Sequence, residues 1–452
     1  MKNKIRILCL LLTLLMILPM AFGCFGNQGD GDETQIYEES SDTSAELTPA
    51  VSLKINGVDL ADYTIVYSSK ARAGGEKAAA YLNGKLEEIY GATLSAEKKP
   101  QNDRYEIVLG LDCDDDALIA AFAENPNGVI GLSGKKIIIL GANYGALCQL
   151  IDAFLAKAMG GDNAYSISVS AIEAPEVSTL SLKVMSYNVL YDLSKPGRPA
   201  DAREQMVATI LENDIDVFGT QEDGPENCEA FLELLGGYSV YKGVAHEKDT
   251  ENYIYWKTEK FDLVKKGYYY LSNTPGTRTK YSDSTQYRTM SYVILKEKTT
   301  AKQFLFVDTH LDYQASEATR IKQITVLGDL IAKVNKDNLP VVVLGDFKNL
   351  STSNSGAIPR FLSTYSGFVQ TSTAAKRKGD VGYTLISQED FSTRYLGAYD
   401  YIFVSVDNVY TEYFTVVNNF KEVEEIDELG EVKTVKKYPS DHLPVMAEVK
   451  LY

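Results

Sequence analysis

The spacing of apolar residues along this chain changes character near residue 180. Before that point, residues 51–55 and 63–67 alternate between apolar and polar, as strands with one buried face do. Residues 76–90 carry Ala80, Leu82, Leu86 and Ile89 at helical spacing and stop at Gly91, which predicts an amphipathic helix. A strand is predicted at 105–109 and a helix at 116–122. Residues 128–132 and 136–140 flank a Ser-Gly pair, a hairpin signal, and Asn143 opens a helix expected to reach about residue 159. Residues 51–175 therefore read as a small α+β domain, and 171–179, with Pro175, as a linker.

From Ser181 onward, short apolar strands alternate with helices and long polar loops. Strands fit at 182–188, 217–221, 253–257, 290–295, 304–310, 341–344, 401–404 and 445–449, and helices at 202–212, 226–235 and 316–334. Sheets with helices outside them predict a layered α/β sandwich over 181–452.

Residues 1–50 follow neither pattern. Lys2, Lys4 and Arg6 precede an apolar run over 7–22 that is broken by Pro19, the layout of a secretory signal. The run ends Met-Ala-Phe-Gly-Cys at 20–24, which resembles a bacterial lipobox with Cys24 as the lipidated residue. Residues 1–24 are thus expected to be a lipoprotein signal peptide. Residues 25–50 hold seven acidic side chains from Asp30 to Glu46 and no Lys or Arg, which predicts a self-repelling tether. The expected location is the outer face of a bacterial cell membrane, held by a lipid anchor.

Roughly 400 residues remain, enough for two domains. Cys113, Cys148 and Cys228 are odd in number and scattered, which argues against a disulfide framework or a zinc site. The formal net charge of −17 disfavours long nucleic acids, whose affinity rests on Lys and Arg neutralising phosphates. A small or lipid-derived substrate is expected instead, with no protein partner inferred.

The chemistry gathers at strand ends. His310 closes Phe-Leu-Phe-Val-Asp-Thr-His, Asp346 follows Val-Val-Val-Leu-Gly, and His442 lies in Tyr-Pro-Ser-Asp-His-Leu-Pro-Val. In chain order the strand ends deliver Asn188, Glu222, His310, Asp346, Asp400 and the pair Asp441 and His442. Carboxylates and imidazoles delivered to one face suit acid/base chemistry around a hard metal ion, hence a metal-dependent hydrolase.

Several motifs carry a family resemblance over 182–451. They are Met185-Ser-Tyr-Asn-Val-Leu190, Asp216-Val-Phe-Gly-Thr-Gln-Glu222, Ile254-Tyr-Trp-Lys257, Leu271-Ser-Asn-Thr-Pro275, Thr309-His-Leu-Asp312, Gly345-Asp-Phe347, Tyr399-Asp-Tyr-Ile-Phe403 and Ser440-Asp-His-Leu-Pro-Val445. This region resembles the endonuclease/exonuclease/phosphatase superfamily. The resemblance implies a four-layer αββα sandwich and phosphoester hydrolysis with Mg²⁺ or Mn²⁺. It implies Glu222 as main metal ligand, completed by Asn188 and Asp441. It casts His442 as the group that orients or deprotonates water, Asp400 as its holder, Asp346 as the group that positions the nucleophile, and His310 as phosphate binder or acid. Arg288, Lys348 and Asn252 become candidate substrate contacts, and Asp312 is carried as a further candidate. Residues 51–175, through Glu106-Ile-Val-Leu-Gly110 and Lys136-Ile-Ile-Ile-Leu-Gly-Ala-Asn-Tyr-Gly145, resemble the accessory domain of bacterial α-glucuronidases and hexosaminidases.

Two departures stand out. The family's Gly-Asp-Phe-Asn reads here with Lys348 in the last place and Asn349 after it. The family's Glu before an aromatic and Asn is replaced by Thr250, with Glu251 one place on. The expected function is a Mg²⁺-dependent phosphoester hydrolase, a phosphodiesterase first. The alternatives are a secreted endonuclease, or a surface binding protein that kept the fold and lost the chemistry. His246 reads as a loop residue, the acidic run 422–431 as a hairpin tip, and Tyr268, Tyr269 and Tyr270 as sheet residues.

Overall fold

The computed structural model describes residues 51–452 except 68–73, 102, 111–113, 193, 245–251, 349–355, 396 and 427–429. The expected export signal with Cys24, the expected tether, Cys113, His246, Thr250, Glu251 and Asn349 lie outside the described residues.

Two sheets face each other in the C-terminal part. One runs, edge to edge, Tyr238–Tyr241, Tyr253–Lys257, Val217–Gln221, Leu180–Asn188, Val445–Leu451, Val409–Val416 and Arg377–Lys378. The other runs Phe261–Tyr270, Thr289–Glu297, Gln303–His310, Val341–Asp346, Asp400–Ser405 and Phe368–Gln370. The inner faces bury Val184, Val217, Ile254, Trp256, Phe304, Phe306, Val342, Leu344, Ile402 and Ala447 against one another. The outer face of the first sheet carries helices Ala202–Glu212 and Pro225–Leu235 over Met185, Phe218 and Tyr255. The outer face of the second carries Glu317–Val334 and Ala357–Thr364 over Leu305, Val343 and Phe403. These are the four layers that the family resemblance implies, and they agree with the layered α/β sandwich that the strand and helix pattern predicts.

The N-terminal part builds a five-stranded sheet in the order Ala96–Glu97, Thr64–Tyr67, Glu106–Leu109, Lys136–Gly141, Gly128–Ser133. Helices Gly75–Tyr90 and Tyr144–Leu155 pack with this sheet through Leu82, Leu86, Leu147 and Ile151. The second helix starts where Asn143 caps it, its side chain accepting from Ala146 N at 3.0 Å, but ends at Leu155, short of residue 159. The chain then turns into the strand Met159–Gly161.

Contacts between the two parts involve Asp407, Asn127 and Tyr452. Gly145 N donates to Asp407 O at 2.7 Å, and Tyr452 Oη bonds Asn127 Oδ1 at 3.2 Å. Asp407 follows the strand Asp400–Ser405, so this seam lies at the end of the sandwich away from Asp400.

Of the strand Phe261–Tyr270 the sequence showed only Tyr268, Tyr269 and Tyr270 as sheet residues, because Lys265, Lys266 and Gly267 interrupt its alternation. It is an edge strand whose residues 262–266 are exposed, and solvent imposes no apolar pattern there. Residues 422–426 of the acidic run lie in the strand Lys421–Ile426, which pairs with Val432–Lys437.

Candidate active site

Side chains alternate between the faces of a strand, so the parity of each strand decides what enters the space between the sheets. Along Leu180–Asn188 the inward positions are Leu182, Val184, Ser186 and Asn188. Along Gln303–His310 they are Phe304, Phe306, Asp308 and His310, and along Val341–Asp346 they are Val342, Leu344 and Asp346. Asp400–Ser405 runs the opposite way and places Asp400 at the same end as Asp346. Each strand therefore changes from apolar to polar as it nears one mouth of the sandwich. Register aligns the row, with His310 opposite Asp346 and Asp346 opposite Asp400. Gly345 makes this alignment possible: its φ is +147°, and a Cβ there would lie 1.9 Å from Thr309 O.

Asp346 is the hub. Its Oδ2 lies 2.7 Å from Lys348 Nζ, 3.0 Å from Asn188 Nδ2, 3.5 Å from His310 Nε2 and 3.7 Å from His442 Nε2. Its Oδ1 accepts the backbone N–H of Lys348 at 2.9 Å. Burial opposes ionisation of this carboxyl, but the charges of Lys348, His442 and His310 outweigh it and hold Asp346 well below the usual carboxylate range.

The two imidazoles are oriented in opposite senses. Arg288 Nη1 lies 2.9 Å from His310 Nδ1. A guanidinium can only donate, so a neutral His310 carries its proton on Nε2, toward Asp346. His442 turns Nδ1 to Asp400 Oδ2 at 2.8 Å, which in the neutral ring places the proton there and leaves Nε2 as the acceptor, 3.4 Å from Lys348 Nζ. Burial pushes the His442 imidazole down and Lys348 adds to this, yet Asp400 and Asp346 prevail and raise its pKa to about 9. Burial raises Asp400, with His442 opposing. For Lys348, burial favours the neutral amine, and the charges of Asp346 and Glu222 overcome it and keep the ammonium.

Glu222 leaves the strand Val217–Gln221 in a left-handed conformation, φ 52°. The next residue locks this turn: the buried Asp223 accepts from Thr220 Oγ1 at 2.8 Å, Tyr255 Oη at 2.7 Å and Gly224 N at 2.8 Å. Burial still lifts the Asp223 pKa to about 6. Glu222 Oε1 accepts from Asn188 Nδ2 at 3.1 Å and lies 3.9 Å from Lys348 Nζ. Asp441 stands beside His442, its carboxylate accepting from Gln388 Nε2 and, at 3.4 Å, Ser440 Oγ.

The fold thus brings Asn188, Glu222, His310, Asp346, Lys348, Asp400, Asp441 and His442 to one end, with Arg288 behind His310. Asn252 and Asp312 are placed differently. Asn252 is buried between the sheets, 3.5 Å from Thr289 Oγ1. Asp312 accepts from Thr285 N at 2.8 Å, Gln286 N at 3.1 Å and Gln314 N at 3.0 Å, so its carboxylate holds the loop that leads to Arg288.

Two further residues shape the site without any motif to announce them. Arg198 is buried and donates to the carbonyls of Val189 at 2.8 Å, Leu190 at 2.6 Å, Asp192 at 3.0 Å and Pro439 at 2.7 Å. It ties the loop after Asn188 to the loop that carries His442. Asp308 sits one inward position below His310 and accepts from Gln221 Nε2 at 2.7 Å. Burial raises its carboxyl well above the carboxylate range. Strand parity would have exposed Asp308, whereas nothing in the polar loop around Arg198 distinguishes that residue.

The donors fit a hard divalent cation. Glu222 and Asp441 offer carboxylate oxygens, Asn188 turns Nδ2 toward Glu222 and Asp346 while its Oδ1 accepts from Leu190 N at 3.1 Å, and among the described residues Asp346, Asp400 and His442 present ligand atoms within 4.8 Å of one another. Asp400 and His442 already satisfy each other.

No family model matches the sequence, and no curated protein matches it. Solved structures do. An endonuclease/exonuclease/phosphatase family protein of Bacteroides thetaiotaomicron is 24% identical with a TM-score of 0.51, covering 61% of this chain and all (100%) of its own. A mannosyl-6-phosphatase of the same organism is 25% identical with a TM-score of 0.50, covering 59% of this chain and 99% of its own. The chain has the α+β sandwich fold of the endonuclease/exonuclease/phosphatase proteins.

Proposed function

We propose that this protein hydrolyses phosphoester bonds with the help of a divalent cation, Mg²⁺ or Mn²⁺, bound at Glu222. The observation that carries the reading is the convergence of Asn188, His310, Lys348 and His442 on Asp346 Oδ2, with Glu222 alongside. Glu222 and Asp441 would hold the cation, with Asn188 steadying Glu222 through Nδ2, and the cation when bound neutralises charge on a phosphate or leaving oxygen.

The chain's own residues supply the rest. Asp400 fixes the His442 tautomer, so Nε2 faces the cleft as the proton acceptor for an attacking water. Asp346 holds that water's other partners in place. Arg288 fixes His310 so that its Nε2–H points inward, where it can donate to a phosphate oxygen. Lys348 adds a point charge to the same space.

The favoured substrate is a small phosphomonoester such as a sugar phosphate, placed ahead of the phosphodiester expected from the membrane tether. Supporting it are the likeness to the mannosyl-6-phosphatase and the charges of Lys348 and Arg288 beside the His310 Nε2–H donor, which suit a dianion. The net charge of −17 counts against a nuclease. In this reading Cys24 and residues 25–50 hold the enzyme on the outer cell surface.

The test is phosphate release from mannose 6-phosphate beside hydrolysis of bis-p-nitrophenyl phosphate, each with Mg²⁺, Mn²⁺ or EDTA. Cation-dependent release from the monoester supports the reading. Turnover of the diester alone would return the choice to a phosphodiesterase.

A further inference from the structure

Lys348 is anchored twice by one carboxylate. Asp346 Oδ1 accepts its backbone N–H at 2.9 Å, and Asp346 Oδ2 takes its ammonium at 2.7 Å. The backbone is left-handed at this residue, φ 47°, a conformation that a non-glycine residue adopts only where its surroundings impose it. The arm curls back into the mouth of the sandwich. Its Nζ lies 3.9 Å from Glu222 Oε1, 3.4 Å from His442 Nε2 and 5.8 Å from the centre of the Tyr399 ring. The side chain is only 12% exposed. An ammonium is therefore lodged among the carboxylates that a divalent cation needs.

We infer that Lys348 is an internal competitor for the divalent cation and sets a weak metal affinity at Glu222. The inference rests on the proposed cation site, but not on turnover. Two cations cannot share this space without repulsion in a poorly screened setting, so binding must either displace the ammonium from Asp346 and Glu222 or tolerate its charge. Both cost affinity. The ammonium also satisfies the buried Asp346 while the metal is absent, which keeps the cluster intact in cation-poor surroundings.

The experiment is calorimetric titration of Mn²⁺ into the protein and into Lys348→Met, Lys348→Asn and Lys348→Arg, with no substrate present. Thermal melts establish that each variant is folded. The expected result is binding at least about tenfold tighter in Lys348→Met and Lys348→Asn, with Lys348→Arg staying near the parent. Equal or weaker binding in both neutral variants, or no binding by any form, overturns the inference. Hydrolysis with unchanged affinity would sink this inference alone, whereas tighter binding without hydrolysis would uphold it and count against the phosphoesterase reading.

Discussion

His442 Nδ1 and Asp400 Oδ2 lie 2.8 Å apart and join the two sheets across the mouth of the sandwich. The bond fixes which imidazole nitrogen faces the cleft. Asp400→Asn keeps the shape of the side chain but offers an uncharged amide, so the tautomer is no longer enforced. The expected loss in kcat is about 10²- to 10⁴-fold with little change in KM. Steady-state kinetics on the preferred phosphoester checks it; an unimpaired variant would remove His442 from the reaction.

The same pair makes a pH prediction. In the metal-free protein His442 titrates near 9, above the ordinary value of about 6.5. A histidine raised on folding stabilises the fold fully below its unfolded pKa, and that contribution is lost as pH rises through its folded value. Stability of the metal-free protein should therefore decline between about pH 6.5 and 9. Nuclear magnetic resonance of the ring protons should show a midpoint near 9 that falls in Asp400→Asn. A midpoint at the ordinary histidine value in the parent would contradict the electrostatics described.

Asp308 predicts a slope of the same sign at lower pH. Its carboxyl is raised by burial, so the folded state holds a proton that the unfolded state releases above about pH 3.9. Stability from this group falls as pH rises beyond that value. Asp308→Asn keeps an acceptor for Gln221 and removes the cost of ionisation. Its melting temperature should gain on the parent as pH increases from 4 to 7, about the range where an ordinary carboxyl ionises. A constant difference across that range would show that Asp308 ionises as it would in water.

Much of the site was legible in the sequence because strand ends carry their own signal. An apolar run at period two that ends in Asn, His or Asp states both the face and the place of that residue, as Val342, Leu344 and Asp346 do. Residues that act through the backbone left no such trace. Arg198 serves four carbonyls from within a loop, and Asp223 holds the left-handed Glu222 by bonds to Thr220 and Tyr255. Lys348 was visible as a departure from the family pattern, but not that its ammonium would fold back onto Asp346.

Arg198 should matter for stability as well as placement. Arg198→Ala leaves buried carbonyls without a donor and should cost roughly 3 kcal/mol. Arg198→Lys should recover only part of this, because a point charge cannot span the fork between Leu190 and Pro439. Denaturant unfolding of both variants measures it; a stable Arg198→Ala protein would deny the strut.

The most direct test of the account is cation-dependent hydrolysis of p-nitrophenyl phosphate by the parent protein and His442→Ala, in Mg²⁺ and in EDTA. The account predicts turnover that EDTA abolishes and that the substitution reduces by about 10²-fold or more. Turnover indifferent to both, or a folded, metal-loaded protein that cleaves no phosphoester, would contradict it.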